Sequence, residues 1–337
     1  MGSVALRIHF GSDDFAQTRL AQAPDPLWEV LLSLHMLQTG DGPLVFGQWR
    51  SRLRAGLDMD TRRLLALAPP RGYSPDFLTP AAAAGGLELG INALQCTPRV
   101  RLHQDLAQLA RSSGRPLSPA ARDLARGDVT ALRELGDAVR AYHQRALAPH
   151  WARIRAEVDA DLALRARVIT AAGGNPLERL LRTLHPTLEW QDPVLIMHGP
   201  HVQGDLHLGG RGLLLLPSFF CWRKPTILQS EDLMPVLVYP IEHSPRQLAP
   251  GQGRAGRGLQ ALLGRTRAVL LEAVAEGGTT TELARCADVS AATASHHVAV
   301  LRDAGLLVTR RVGGSAHHTL TPLGADLLDG RGPGLTV

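Results

Sequence analysis

Residues 279–321, TTTELARCADVSAATASHHVAVLRDAGLLVTRRVGGSAHHTLT, decide the fold of the C-terminal part of this chain. Thr280 or Thr281 is suited to cap a first short helix, because a threonine hydroxyl accepts a hydrogen bond from an unpaired N–H group of the first turn. Residues 288–289 follow as a tight turn, and Ser290 is suited to cap a second helix. The stretch therefore begins as two short helices joined by a turn.

The second helix is predicted to end near residue 304. Ala294, Val298 and Leu301 recur at helical spacing, so they share one face and are expected to point inward. Gly305 then ends the helix, since glycine readily adopts the left-handed conformation found after a helix C-terminus.

A β-hairpin is predicted after this helix. Residues 306–312, LLVTRRV, have strand character, Gly313-Gly314 is a two-residue hairpin signal, and residues 315–321 return as the second strand. Two helices followed by a hairpin form the layout of a winged helix-turn-helix, which lays its second helix in a DNA major groove. Double-stranded DNA is therefore the expected partner.

The polar residues off the buried stripe are the candidate DNA contacts. On the second helix they are Ser290, Thr293, Ser295, His296, His297 and Arg302. On the hairpin they are Arg310, Arg311 and Ser315, where a wing reaches a phosphate or the minor groove. Of the adjacent pair His317 and His318, one is expected to be packed or solvated rather than functional, because neighbouring strand residues point to opposite faces.

Residues 259–330 resemble the ArsR-type winged-helix repressors of bacteria. The resemblance is carried by a recognition-helix pattern at Ser290, Ser295, His297, Val298, Leu301, Ala304, Gly305 and Leu306. Metal-sensing members of that family have a Cys-x-Cys pair on the preceding helix, whereas this chain has Cys286 alone. One thiolate does not build a soft-metal site, so neither a metal nor another cofactor is expected.

The N-terminal part is similar to an uncharacterised α/β domain that precedes an ArsR-type winged helix in many actinobacterial regulators. The resemblance is closest at Phe10, Asp14, Thr18, Arg19, Pro26, Leu27, Trp28 and Glu29. It implies a regulatory architecture and names no ligand.

The chain of 337 residues is long enough for two or three domains. Helical periodicity dominates up to about residue 185, and short strands separated by turns fill residues 187–241, with a further strand at 3–10 expected to join their sheet. We predict an α+β protein, with a mixed helical and β N-terminal domain at 1–245, a Gly/Pro/Arg linker at 246–258 and the winged helix-turn-helix at 259–330.

The net charge of +5 permits DNA binding without proving it. From residue 259 onward seven arginines balance seven acidic residues, so DNA affinity depends on where the arginines are placed. The widely spaced Cys96, Cys221 and Cys286 argue against a disulfide framework. The chain shows no signal peptide and no apolar run that could span a bilayer, so a cytoplasmic protein without a membrane partner is expected.

Three other patterns in the sequence bear on function. The sequence 251–256, GQGRAG, fits G-x-G-x-x-G but lacks the strand that a dinucleotide site needs directly before it. His198, His201 and His207 lack cysteine or carboxylate ligands at fixed spacing, so a metal site is not expected. The aromatic residues of the strand region are expected in the core, with a pocket lining as the alternative; they are Trp190, Phe219, Phe220, Trp222 and Tyr239.

The sequence is most consistent with a cytoplasmic transcription regulator that is not an enzyme. It is expected to act as a repressor and as a homodimer on a roughly palindromic operator, with the N-terminal domain supplying dimerisation, binding of a small-molecule effector, or both. The helices predicted at 259–276 and 323–329 carry more leucine and valine than a three-helix core of this size should need. These helices are therefore predicted to form the dimer interface. The alternatives are an enzyme with catalytic residues in 1–245, and an architectural DNA-binding protein without a ligand.

Overall fold

The computed structural model divides the chain into two compact units, one formed by Met1–Thr39 with Gly56–His243 and the other by Gly40–Ala55 with Ser244–Val337. It describes residues 5–171, 173–199, 203–229, 233–243, 262–274, 278–312, 315–321, 323–324 and 327. The predicted linker at 246–258 and the glycine pattern within it lie outside these residues.

Helices make up most of residues 12–183, as the sequence predicts. They are α1 (Ser12–Gln17), α2 (Pro26–Gln38), α3 (Pro43–Ala55), α4 (Met59–Leu67), α5 (Leu87–Gln95), α6 (Arg99–Ser113), α7 (Pro119–Ala125), α8 (Val129–Ala146), α9 (Trp151–Thr170) and α10 (Pro176–Thr183). Helix α2 begins with proline in its first turn, and the Asp25 carboxylate caps it by accepting hydrogen bonds from the N–H groups of Leu27 and Trp28. The short helices α5 and α7 were not predicted.

The described strands of the N-terminal unit form two four-stranded sheets, whereas the sequence predicts one. The first has the order β3 (Leu188–Gln191), β4 (Val194–His198), β1 (Ala5–His9), β5 (Gly204–His207). The second has the order β2 (Arg19–Leu20), β6 (Leu214–Ser218), β8 (Val236–Pro240), β7 (Thr226–Leu228). As predicted, β1 joins strands from the end of the unit, antiparallel to β4 and parallel to β5.

One hydrophobic core connects both sheets with helix α10. Leu6 and Ile8 alternate with exposed or half-buried neighbours along β1, whereas β6 and β8 are buried almost continuously. This difference is expected, because strands paired in parallel at the centre of a sheet are covered on both faces. Trp190, Phe219, Phe220 and Tyr239 are buried, as the core interpretation predicts, while Trp222 is half-buried.

Asp14, one of the residues that carries the N-terminal resemblance, joins α1 to the second sheet. One carboxylate oxygen accepts a 2.8 Å hydrogen bond from the N–H of Gly11 and the other a 2.9 Å bond from the N–H of Gly212. Gly212 has φ +69°, and a Cβ there would lie 2.5 Å from the backbone carbon of Gln17. This contact is therefore structural and requires glycine at the turn.

The described residues of the C-terminal unit combine several helices and a small sheet with helix α3. Its elements are α11 (Arg265–Val274), β9 (Gly278–Thr279), α12 (Thr280–Cys286), α13 (Ala291–Asp303), β10 (Leu307–Val312) and β11 (Ser315–Leu320). The sheet has the order β10-β11-β9. Side chains of α11, α12, α13 and β10 form its core, which includes Leu270, Leu283, Val298, Leu301 and Leu307.

Helix α3 groups with this unit and packs against α11. The sequence pattern instead predicts α3 inside the N-terminal domain at 1–245. It also predicts that the extra leucine and valine residues of the helix at 259–276 serve dimerisation, but Leu270 and Val274 lie in the core of the unit. Leu262 and Leu323 remain 70% and 51% exposed. Most of the described apolar side chains of α11 therefore pack within the unit itself and do not remain free for an interface.

Among the described residues, no helix has both the length and the apolar character needed to cross a membrane.

Candidate nucleic-acid interface

Helix α12 is capped one residue earlier than the sequence predicts. The cap is Thr279, not Thr280 or Thr281, and the Thr279 side chain accepts from the N–H of Glu282. The Glu282 carboxylate in turn accepts a 2.8 Å hydrogen bond from the N–H of Thr279. This reciprocal pair is a capping box, and its threonine and glutamate are visible in the sequence at the required spacing.

The turn between α12 and α13 passes through Asp288, which has φ +53°. Ser290 caps α13 as predicted, because its Oγ accepts a 3.1 Å hydrogen bond from the N–H of Thr293. The Ser290 and Thr293 hydroxyl oxygens also lie 2.8 Å apart. Both predicted DNA contacts are exposed and also maintain the start of the helix.

The exposed face of α13 carries most of the predicted contacts. Ala294, Val298 and Leu301 are buried as predicted, while Thr293, Ser295 and His296 are exposed. His297 is half-buried. It lies three residues after Ala294 and four before Leu301, so it borders the buried stripe of the helix. His296 is thus better placed than His297 to reach a ligand.

Arg302 is exposed near the end of α13, where its guanidinium lies 3.1 Å from the Asp303 carboxylate. This neighbouring negative charge offsets part of the attraction of Arg302 for phosphate. The helix ends as predicted, with Gly305 at φ +72°. Arg285 on α12 and Ala292 on α13 are also exposed, and no sequence pattern predicts them as DNA contacts.

The wing is the antiparallel pair β10–β11, with Arg310 opposite His317 and Arg311 opposite Ala316. Arg310 and Arg311 lie on β10 and Ser315 begins β11, but the placement of these three side chains lies outside what the structure describes. Residues 313–314, the predicted hairpin tip, also lie outside it.

His318 is the packed member of the histidine pair on β11. Only 3% of it is exposed, and its two ring nitrogens each lie 2.9 Å from a threonine hydroxyl, Thr280 on α12 and Thr309 on β10. Burial lowers the pKa of His318, and the positive potential of His317 and Arg302 lowers it further. This histidine therefore connects the wing to the first helix of the helix-turn-helix.

The histidines of the first sheet pair with separate groups. His198 lies 3.1 Å from Glu189, and the ring of His207 stacks on that of His9 at 4.4 Å. His201 lies outside the described residues. Within the part of the chain that the structure describes, no three histidine, cysteine or acidic side chains are grouped so that they could hold a metal ion.

Comparison with known proteins agrees with this geometry. A protein-family model described as a helix-turn-helix domain matches residues 262–310, which span α11, α12, α13 and the start of β10. No curated protein and no solved structure matches the chain. The chain therefore contains a helix-turn-helix domain, and such domains are typical of DNA-binding regulators.

Proposed function

We propose that this protein is an ArsR-type transcription repressor that acts in the cytoplasm and occludes a promoter by binding a palindromic operator. The observation that carries the proposal is the exposed face of α13, which presents Thr293, Ser295 and His296 beside the strand that bears Arg310 and Arg311. Short polar side chains and a histidine suit base edges in the major groove. The two arginines suit the phosphates that hold the wing in place.

The division between base contacts and phosphate contacts can be measured on the full chain. An operator is first selected from random duplexes, and its affinity is then followed by fluorescence anisotropy at several salt concentrations. Arg310→Ala combined with Arg311→Ala should weaken binding to every duplex and reduce the salt slope by about 2, since each lost phosphate contact removes roughly one released counterion. Ser295→Ala combined with His296→Ala should instead reduce discrimination between the operator and a shuffled duplex.

A matched control removes the same charge elsewhere. Arg115 and Arg133 are exposed residues of the N-terminal unit, and their double alanine variant should keep the wild-type affinity and salt slope. Failure to enrich any duplex, or a wing variant that behaves like this control, would contradict the proposal.

We further propose that the active form is a homodimer. One winged helix contacts a half-site of a few base pairs, which discriminates poorly against the rest of a genome. Two copies about 34–36 Å apart read successive major grooves on one side of the duplex. Leu262 and Leu323, both exposed in the C-terminal unit, are candidate interface residues. Light scattering should show two chains in solution and two per operator; one chain on a non-palindromic site would refute the dimer.

The N-terminal unit is proposed to bind an effector without chemical turnover. An effector that binds one arrangement of the two recognition helices better than another shifts operator affinity by that difference. Quantitative recovery of an unchanged ligand after prolonged incubation would support binding over catalysis, and loss of the ligand would favour the enzyme alternative.

A further inference from the structure

The N-terminal unit contains a cavity of about 630 Å³ that the DNA-binding role does not use. Its walls are helix α2, the loop at 72–79, helix α6 and strand β7, with Gln203 and Gln229 also contributing. A volume of this size falls within the range of pockets that bind small molecules, about 300–1,000 Å³.

The lining of the cavity is partly apolar and partly polar. The apolar residues are Trp28, Leu31 and Leu32 of α2 with Ile227 and Leu228 of β7. The polar residues include Tyr73, Asp76, Thr79, Gln108 and Ser112. A ligand that fills the cavity therefore needs an apolar body and one polar end.

The polar lining includes Asp76, and the buried Asp105 lies near it. Asp105 accepts a 2.9 Å hydrogen bond from the N–H of Phe77, and the N–H of Asp76 donates to the Tyr73 hydroxyl at 3.3 Å. Burial and then the negative charge of Asp105 raise the pKa of Asp76 to about 6, against smaller lowering effects of Tyr73 and Arg101. Two carboxyl groups therefore lie close together beside the cavity.

The described residues that line the cavity include neither lysine nor arginine. His35, which also lines it, hydrogen bonds Ser74 at 3.0 Å, and burial lowers its pKa to about 4. His35 is therefore neutral near pH 7. Among the described lining residues, the cavity therefore presents a carboxylate and no cationic side chain that could receive an anionic ligand.

We propose, on the basis of the regulatory function proposed above, that this cavity is the effector site and that it takes a small organic amine with an apolar or aromatic body. The ammonium group would pair with Asp76, while the apolar body would lie against Trp28 and the leucines of α2. An ammonium group also gains from the face of an indole ring. Ligands that carry a carboxylate or a phosphate are disfavoured by the negative charge of Asp76 and Asp105.

Helix α2, which lines the cavity, is followed directly in the chain by a helix of the C-terminal unit. It ends at Gln38, and residues 39–42 lead into α3, which belongs to the C-terminal unit and packs against α11. A ligand that changes the position or stability of α2 therefore acts on a segment that continues directly into that unit.

The test uses the full chain and three probes of similar size: 2-phenylethylamine, its neutral analogue 2-phenylethanol and the anionic 3-phenylpropanoate. Calorimetry at pH 7.5 should show the amine binding at least tenfold more tightly than either analogue. Asp76→Asn should weaken amine binding at least tenfold. Gln108→Arg, which adds a cation at an exposed lining position, should weaken the amine and favour the carboxylate.

Asp159→Asn is the matched control, because Asp159 is an exposed acid that does not line the cavity. It should bind the amine like the wild type. Three results would overturn the assignment. They are equal binding of the amine and the alcohol, no amine binding up to 10 mM, and a folded Gln108→Arg variant that still prefers the amine to the carboxylate as the wild type does.

A separate titration of operator DNA with and without amine tests the effector role. A change in operator affinity that Asp76→Asn abolishes supports it, and amine binding without such a change refutes it. Absence of any operator would contradict the proposed function while leaving the calorimetric result on the cavity intact.

Discussion

Glu29 on helix α2 accepts a 2.8 Å hydrogen bond from the backbone N–H of Phe219, just beyond the end of strand β6. Its second oxygen accepts from the N–H of Phe220 at 3.0 Å and from the Ser218 hydroxyl at 3.1 Å. The carboxylate is fully buried and joins the helix that lines the cavity to the second sheet. Burial raises the pKa of Glu29 to about 7 despite these three donors.

Glu29→Gln should flatten the dependence of the protein's stability on pH. Because the folded pKa of about 7 lies above the ordinary value of 4.5, the contribution of Glu29 is fully present below pH 4.5 and is lost as pH rises through 7. The loss is on the order of 3 kcal/mol for a shift of this size. Asp25, with a pKa raised to about 6 by burial, contributes with the same sign.

Thermal unfolding at pH 5, 6.5 and 8 provides the measurement. At pH 5 the protonated acid and the amide are near-isosteres, so the variant should melt only slightly below the wild type, and the difference should close or reverse by pH 8, where the wild type loses the contribution of the protonated acid. The exposed Glu242→Gln variant serves as the control. A gap that widens with rising pH would contradict the pKa direction.

Asp288→Ala should lower the stability of the C-terminal unit by about 1 kcal/mol, because a left-handed conformation is costly for residues with a Cβ and least so for Gly, Asn and Asp. Asp288→Gly should retain wild-type stability. Chemical denaturation of both variants, with Asp303→Ala as a helical control, checks this. Equal stability of the alanine and glycine variants would show that the positive φ at residue 288 does not reduce the stability of the unit.

His318→Ala should loosen the wing, since it leaves the Thr280 and Thr309 hydroxyls without their shared partner; a loss of about 1–3 kcal/mol is expected. The lowered pKa of His318 means that its contribution is present above pH 6.5 and is lost as pH falls below it. Hydrogen exchange of β10 amides at pH 7.5 and 5.5 should detect this loss. The role of His318 in holding the wing would be refuted if the protection changed neither with pH nor with His318→Ala. It would also be refuted if His317→Ala had an equal effect on the protection.

Operator binding should be independent of soft metals. Cys286 is half-buried on α12, and a single thiolate does not hold such an ion. Equal affinity is expected in EDTA, zinc, cadmium or arsenite, and for Cys286→Ser. A stoichiometric metal that is lost with this substitution would show that partners outside the sequence pattern complete a site.

The helix-turn-helix could be predicted closely because its signals are local. Caps, turn, buried stripe and terminal glycine each follow from residues within four positions, and the error at Thr279 was one residue. The second sheet could not be predicted, because β2 and β7 have two and three residues and no measurable period. The cavity was missed for a related reason: Trp28, Asp76 and Ile227 meet only through tertiary packing.

The packing of α3 against α11 could not be predicted either. An amphipathic pattern shows that a helix packs but does not show against which partner. The packing of α3 against α11 also has a topological consequence. The C-terminal unit is discontinuous in sequence, so a gene fragment beginning at residue 246 would encode it without one of its helices. Hydrolysis of a single peptide bond between residues 246 and 258 would divide the polypeptide but leave α3 on the N-terminal piece, bound to the other piece through its contact with α11.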